Sequence, residues 1–61
     1  MWVIREQTTG KYFQALENGD APIYVSEIED AMQFETLDAE EDYRAMNIAY
    51  TNTQPFEVPE S

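Results

Sequence analysis

The chain has 61 residues, with thirteen acidic side chains against three basic ones and no histidine, a formal charge of −10. Cysteine is absent too, so neither a disulfide nor a zinc site can staple a core that by itself supplies only about 3–5 kcal/mol at this size. Disorder is argued against by composition, because 43% of the residues are hydrophobic, with four tyrosines, three phenylalanines and one tryptophan, whereas highly charged disordered chains are poor in aromatic residues.

These totals predict one domain over residues 1–61 that folds by apolar burial and carries no cofactor. Trp2-Val3-Ile4-Arg5-Glu6 and Lys11-Tyr12-Phe13-Gln14-Ala15-Leu16 are rich in aromatic and β-branched residues and read as two strands. Between them Gln7-Thr8-Thr9-Gly10 suits a hairpin turn closed by Gly10 in the left-handed conformation. Glu17-Asn18-Gly19-Asp20 is a second turn, since Asn-Gly takes positive φ at low cost. Ala21-Pro22-Ile23-Tyr24-Val25 follows as a third extended piece, with Pro22 at its start or on an edge because proline donates nothing to a ladder.

Ser26-Glu27-Ile28-Glu29 has the capping-box pattern and predicts a short helical turn through Ala31. Met32-Gln33-Phe34-Glu35 reads either as a brief strand or as the continuation of that turn. The main helix is expected over 37–47, Leu37-Asp38-Ala39-Glu40-Glu41-Asp42-Tyr43-Arg44-Ala45-Met46-Asn47, capped by Thr36 or Asp38. Its acids crowd the first turns and Arg44 falls late, as the helix dipole favours. Ala39, Tyr43 and Met46 would form the stripe that lies on the sheet, Asn47 the left-handed terminus, and Ile48 a contact folded back onto Tyr43. Tyr50 to Pro55 reads as a loop and Phe56-Glu57-Val58 as a last short strand. The core is expected to draw on Trp2, Ile4, Phe34, Tyr43 and Met46. The sum is a small α+β fold, a three- to four-stranded, mostly antiparallel sheet packed against one main helix.

Catalytic chemistry finds little to work with. Histidine and cysteine are missing, Ser26 reads as a cap, and Ser61 is terminal, so no activated nucleophile beside a base is recognised and no enzyme is expected. A calcium loop needs alternating acids, a central glycine and a closing glutamate, whereas the acids of 38–42 sit in a helical pattern without glycine. Arg5, Lys11 and Arg44 are too few to release counterions from nucleic acid or to hold an anionic membrane, so neither is an expected partner. Met1-Trp2-Val3-Ile4 runs at once into Arg5 and Glu6, and no apolar stretch of signal-peptide or membrane-spanning length follows. A cytoplasmic location is therefore the expectation.

The acids fall into two runs, Glu27-Glu29-Asp30-Glu35 and Asp38-Glu40-Glu41-Asp42, which together can form one anionic ridge, extended by Glu17 and Asp20. Such a ridge competes for a groove built to hold nucleic acid, since duplex DNA presents roughly one charge per 1.7 Å of axis. Tyr24 and Ile28 are the candidate apolar anchors beside it. The competing reading is a solvated face that only maintains solubility, on a small structural or self-assembling module that associates through its hairpin edge. A charge of −10 exceeds the magnitude of about 2–8 that solubility requires in a small domain.

Thr9-Gly10-Lys11-Tyr12-Phe13 after a first strand, followed by Asp30-Ala31-Met32-Gln33-Phe34-Glu35-Thr36 leading into an acidic helix, resembles small phage-encoded accessory proteins of the host-takeover kind. That resemblance implies action by stoichiometric binding in the host cytoplasm. The acidic proteins among them inhibit restriction enzymes, CRISPR effectors, uracil-DNA glycosylase or host RNA polymerase. The Glu-Ser-Ile motif of the glycosylase inhibitors is not reproduced, because Ser26-Glu27-Ile28 holds those residues in another order, and no family site residue is transferred. The expectation is thus a DNA-mimic inhibitor, monomeric or homodimeric, whose partner is a basic nucleic-acid-binding protein of the host.

Overall fold

A computed structural model of the protein describes residues 1–19, 21–49 and 51–59. The first three strands form a meander of β1 (Trp2–Glu6), β2 (Tyr12–Glu17) and β3 (Ala21–Val25), followed by a 3-10 helix (Ile28–Asp30), α1 (Leu37–Asn47) and β4 (Thr53–Glu57). The sheet order is β3-β2-β1-β4 with every pairing antiparallel, and α1 lies over β1 and β4 on one face. The α+β architecture with one main helix is the one the sequence predicts. Among the described residues no helix is long and apolar enough to cross a membrane.

Local chemistry sets each turn. Glu6 ends β1 by folding its carboxylate over the hairpin, where it accepts from Thr8 N at 2.7 Å, Thr9 N at 3.1 Å and Thr9 Oγ1 at 2.9 Å. Gly10 takes φ +75°, as expected, and donates to the Glu6 carbonyl at 2.9 Å. Asn18 and Gly19 both adopt positive φ, 54° and 86°, while Asp20 of the same turn lies outside the described residues.

Below the hairpin β1 and β2 diverge, and their only paired position is Arg5 opposite Tyr12. Met32–Phe34 fills the opening: Met32 N donates to the Phe13 carbonyl at 3.0 Å, and Phe34 exchanges two bonds with Trp2 at 2.7 and 2.8 Å. Of the two readings left open for this segment, the extended one is correct, as a single bridge. A register shift in β2 between Phe13 and Ala15 then returns Leu16 to the same side as Phe13. Ile4, Phe13 and Ile48 are fully buried at the centre, with Leu16, Tyr24, Met32, Phe34 and Tyr43 packed around them. Tyr43 touches both Phe13 and Phe34, with ring centroids 5.8 and 5.5 Å apart, contacts worth about 0.5–1.5 kcal/mol each beyond their buried area.

Several local expectations give way to the packing. The capping box does not form, because the residue before the 3-10 helix is Glu27 and no side chain caps it. Thr36, rather than Asp38, caps α1, its hydroxyl accepting from Ala39 N at 3.1 Å. Ala39 and Met46 point to solvent, and the inward face is Leu37, Glu40, Tyr43 and Arg44, continued by Ile48. Asn47 is helical, and Ile48 follows at φ −136° with its N–H donating to the Arg44 carbonyl at 2.9 Å. Among the described residues of this turn none is left-handed, and Thr51 takes over the Ile48 carbonyl through both its N–H and its hydroxyl before β4 begins.

The expected loop from Tyr50 to Pro55, of which Tyr50 lies outside the described residues, gives way at Thr53 to a strand that runs through Pro55. Proline is accepted there because β4 is an edge, where a missing N–H costs no ladder bond. Pro22 occupies the other edge, β3.

Candidate functional site

Helical geometry divides the acids of α1 into two groups. Each residue advances about 100° round the axis, so Glu41, Asp38 and Asp42 span an arc of about 100° while Glu40 stands on the opposite side. Burial agrees, since Asp38, Glu41 and Asp42 are exposed and Glu40 is fully buried. Asp38, Glu41 and Asp42 line one shallow hollow together with Ala39. Thr36 places this group by fixing the start of the helix.

Glu40 therefore leaves the expected ridge. Its Oε2 accepts from Arg44 Nε at 2.9 Å, one turn on, and Arg44 Nη1 reaches the Thr53 carbonyl at 3.5 Å, linking α1 to β4. The other carboxylate oxygen of Glu40 has no partner among the described residues. Burial pushes the Glu40 carboxyl above the ordinary glutamate range, opposed by the hydrogen bond and charge of Arg44 and reinforced by the neighbouring Glu41. The inward turn of this pair had a sequence signal in the i,i+4 spacing of Glu40 and the one helical cation, together with Leu37 and Ile48 eleven residues apart on the same side.

The preceding acids lie outside the helix, Glu35 just before its cap and the others on or beside the 3-10 turn. Glu27, Glu29, Asp30 and Glu35 are exposed, but the 3-10 helix is tied to β2 by Gln14 Nε2 donating to the Asp30 carbonyl at 3.1 Å, whereas α1 lies over β1 and β4. Glu17 is exposed at the end of β2, and Asp20 lies outside the described residues. Tyr24 and Ile28 are half-buried; the Tyr24 ring meets Phe13 edge-on at 6.3 Å, so it serves the core.

None of the three cations offsets the outward helix face. Arg44 is committed to Glu40, and Lys11 is exposed beside the β1–β2 turn. Arg5 alternates with Ile4 and so faces away from the helix, lying over the Phe56 ring at 5.9 Å. On that far side the Tyr12 and Phe56 rings approach to 5.9 Å across β1, and Val3, paired with Phe56, is fully buried. Among the described residues no group of three or more acidic side chains is arranged to hold a metal ion. Chemically the outward face of α1 offers fixed negative charge on a rigid element. No protein-family model, curated protein or solved structure matches the chain.

Proposed function

We propose that the protein is a non-enzymatic, acidic binding protein that occupies the basic nucleic-acid-binding surface of a host protein, as a DNA mimic, and inhibits it. The observation that carries this reading is the exposed set Asp38, Glu41 and Asp42 on one helix face with no cation beside it. From Asp38 to Asp42 the helix rises about 6 Å, so three charges follow one another at a mean of about 3 Å along the axis, a looser row than the duplex value of one per about 1.7 Å but of the same sign and order. A groove that binds phosphate by its lysines and arginines meets a similar field here. Because the acids ride on a capped helix, little ordering entropy is lost on binding. A partner in the host cell is what the resemblance to phage accessory proteins would imply.

Self-association through a hairpin edge is the competing reading, and it is disfavoured by Pro22 in β3 and Pro55 in β4, which interrupt both edges as docking strands. The test is affinity capture from host lysate at low salt, with elution by duplex DNA and by salt. Capture of a nucleic-acid-binding protein that DNA displaces, lost in the triple variant Asp38→Lys/Glu41→Lys/Asp42→Lys, is the expected outcome. Capture that survives both the triple variant and high salt would refute the proposal, since exposed charges are screened within about 3 Å at 1 M salt.

A further inference from the structure

Charge does not account for everything on the outward face of α1. Met46 is 81% exposed and, with Met1 at 41%, makes up the exposed large hydrophobics among the described residues. It lies one turn beyond Asp42 and about 40° further round the axis, bordering the acidic arc on the outward side, and the exposed Ala39 and Ala45 keep the helix surface low around it. Nothing in the core uses it, because the inward positions are filled by Leu37, Glu40, Tyr43 and Arg44.

We propose, building on the acidic-face reading, that Met46 is the apolar anchor of that face and that the partner presents a small apolar pocket ringed by lysine or arginine. Exposed charges steer encounter but contribute little affinity singly, so a docking surface of this kind needs a side chain that leaves water on binding. Methionine suits an irregular pocket because it is unbranched and polarisable. Three features make the occupant a cationic partner rather than a second copy of the chain. A two-fold pairing through this face would set Asp38, Glu41 and Asp42 against their own copies. Met46 stands in the last helical turn, where the terminal carbonyls favour a cation. The one basic residue of that turn, Arg44, is turned inward to Glu40 and leaves the place open to a partner's cation.

Two peptide probes test this at low salt: an amphipathic helix of leucine and lysine, and an oligolysine of equal charge. Binding would be read by anisotropy and mapped by amide shifts. Burial of one methionine side chain predicts that the amphipathic peptide binds about tenfold to a hundredfold more tightly than oligolysine. Its shifts should centre on Asp38, Glu41, Asp42 and Met46. Met46→Ser should erase the difference while leaving oligolysine binding unchanged; the site is exposed, so the fold is not at stake. Equal binding of the two peptides, a preference that survives Met46→Ser, or shifts centred on Ile23, Val25 and Phe56 would overturn the anchor. So would dimerisation of the free protein that Met46→Ser abolishes. Oligolysine binding that persists undiminished in Asp38→Lys/Glu41→Lys/Asp42→Lys would instead overturn the acidic-face reading on which the anchor rests.

Discussion

Replacing Arg44 with methionine removes the partner of a carboxylate that has no access to water. Glu40 is fully buried, its Oε2 accepts from Arg44 at 2.9 Å, and its Oε1 is already without a partner among the described residues. Breaking a buried ion pair from one side costs about 3–5 kcal/mol. Arg44 is itself 25% exposed, which places the loss near the lower end, at about 3 kcal/mol. A domain of this size without staples has about 3–5 kcal/mol in reserve, so Arg44→Met is expected to keep at most about 2 kcal/mol near neutral pH.

The defect should fade on acidification. The folded-state pKa of Glu40 is raised by burial, and losing Arg44 raises it further. The neutral form therefore favours the folded state, and that contribution is complete below the unfolded pKa and lost as pH rises through the folded one. Glu40→Met/Arg44→Met removes both charges and should match or exceed the parent in stability, by up to about 4 kcal/mol. Urea denaturation followed by Trp2 fluorescence, on parent and variants at neutral pH and near the ordinary glutamate pKa, provides the measurement. A penalty for Arg44→Met below about 1 kcal/mol, or one independent of pH, would show that Glu40 is solvated and would refute the argument.

Other elements yield sharper local expectations. The Glu6 carboxyl is held below the ordinary glutamate range by the Thr8 amide, with further bonds from Thr9, so its contribution is present above the unfolded pKa and lost as pH falls through the folded one. The amide shifts of Thr8 and Thr9 should titrate together below the usual glutamate midpoint, and a normal midpoint would contradict the capped hairpin. Thr36→Ala should cost about 1 kcal/mol in a denaturant melt, while Ser26→Ala, which removes no cap, should stay within about 0.5 kcal/mol; the reverse order would restore the capping box. Gly10→Ala forces a side chain into φ +75° and sets its Cβ 3.4 Å from an Arg5 guanidinium nitrogen, with an expected cost of about 1–2 kcal/mol; no loss would place the turn in another conformation.

Strand-forming runs and turn chemistry were legible in the sequence because they depend on neighbouring residues. Gly10 and Asn18-Gly19 took the positive φ that their side chains allow, and β1 to β3 followed from aromatic and β-branched content. The span of α1 was readable from its cap and its acids, but its rotation was not. Rotation is decided by which side chains meet β1 and β4, and the buried pairing of Glu40 with Arg44 made an acidic position the inward one. For the same reason Met46 moved from expected core to surface. Pro55 read as a loop because its tolerance depends on β4 being an edge, a property of the assembled sheet. The candidate site was thus half legible: Asp38, Glu41 and Asp42 stand together, Glu40 is structural, and Glu27, Glu29 and Asp30 belong to a turn fastened to β2.

The most direct measurement is competition on a captured partner loaded with labelled duplex DNA, comparing the parent protein with the near-isosteric Asp38→Asn/Glu41→Gln/Asp42→Asn. The parent should release the DNA at near-stoichiometric concentration, and the neutralised protein, still folded by circular dichroism, should fail to do so. Equal release by both would mean that the negative charge on the outer side of α1 plays no part in recognition.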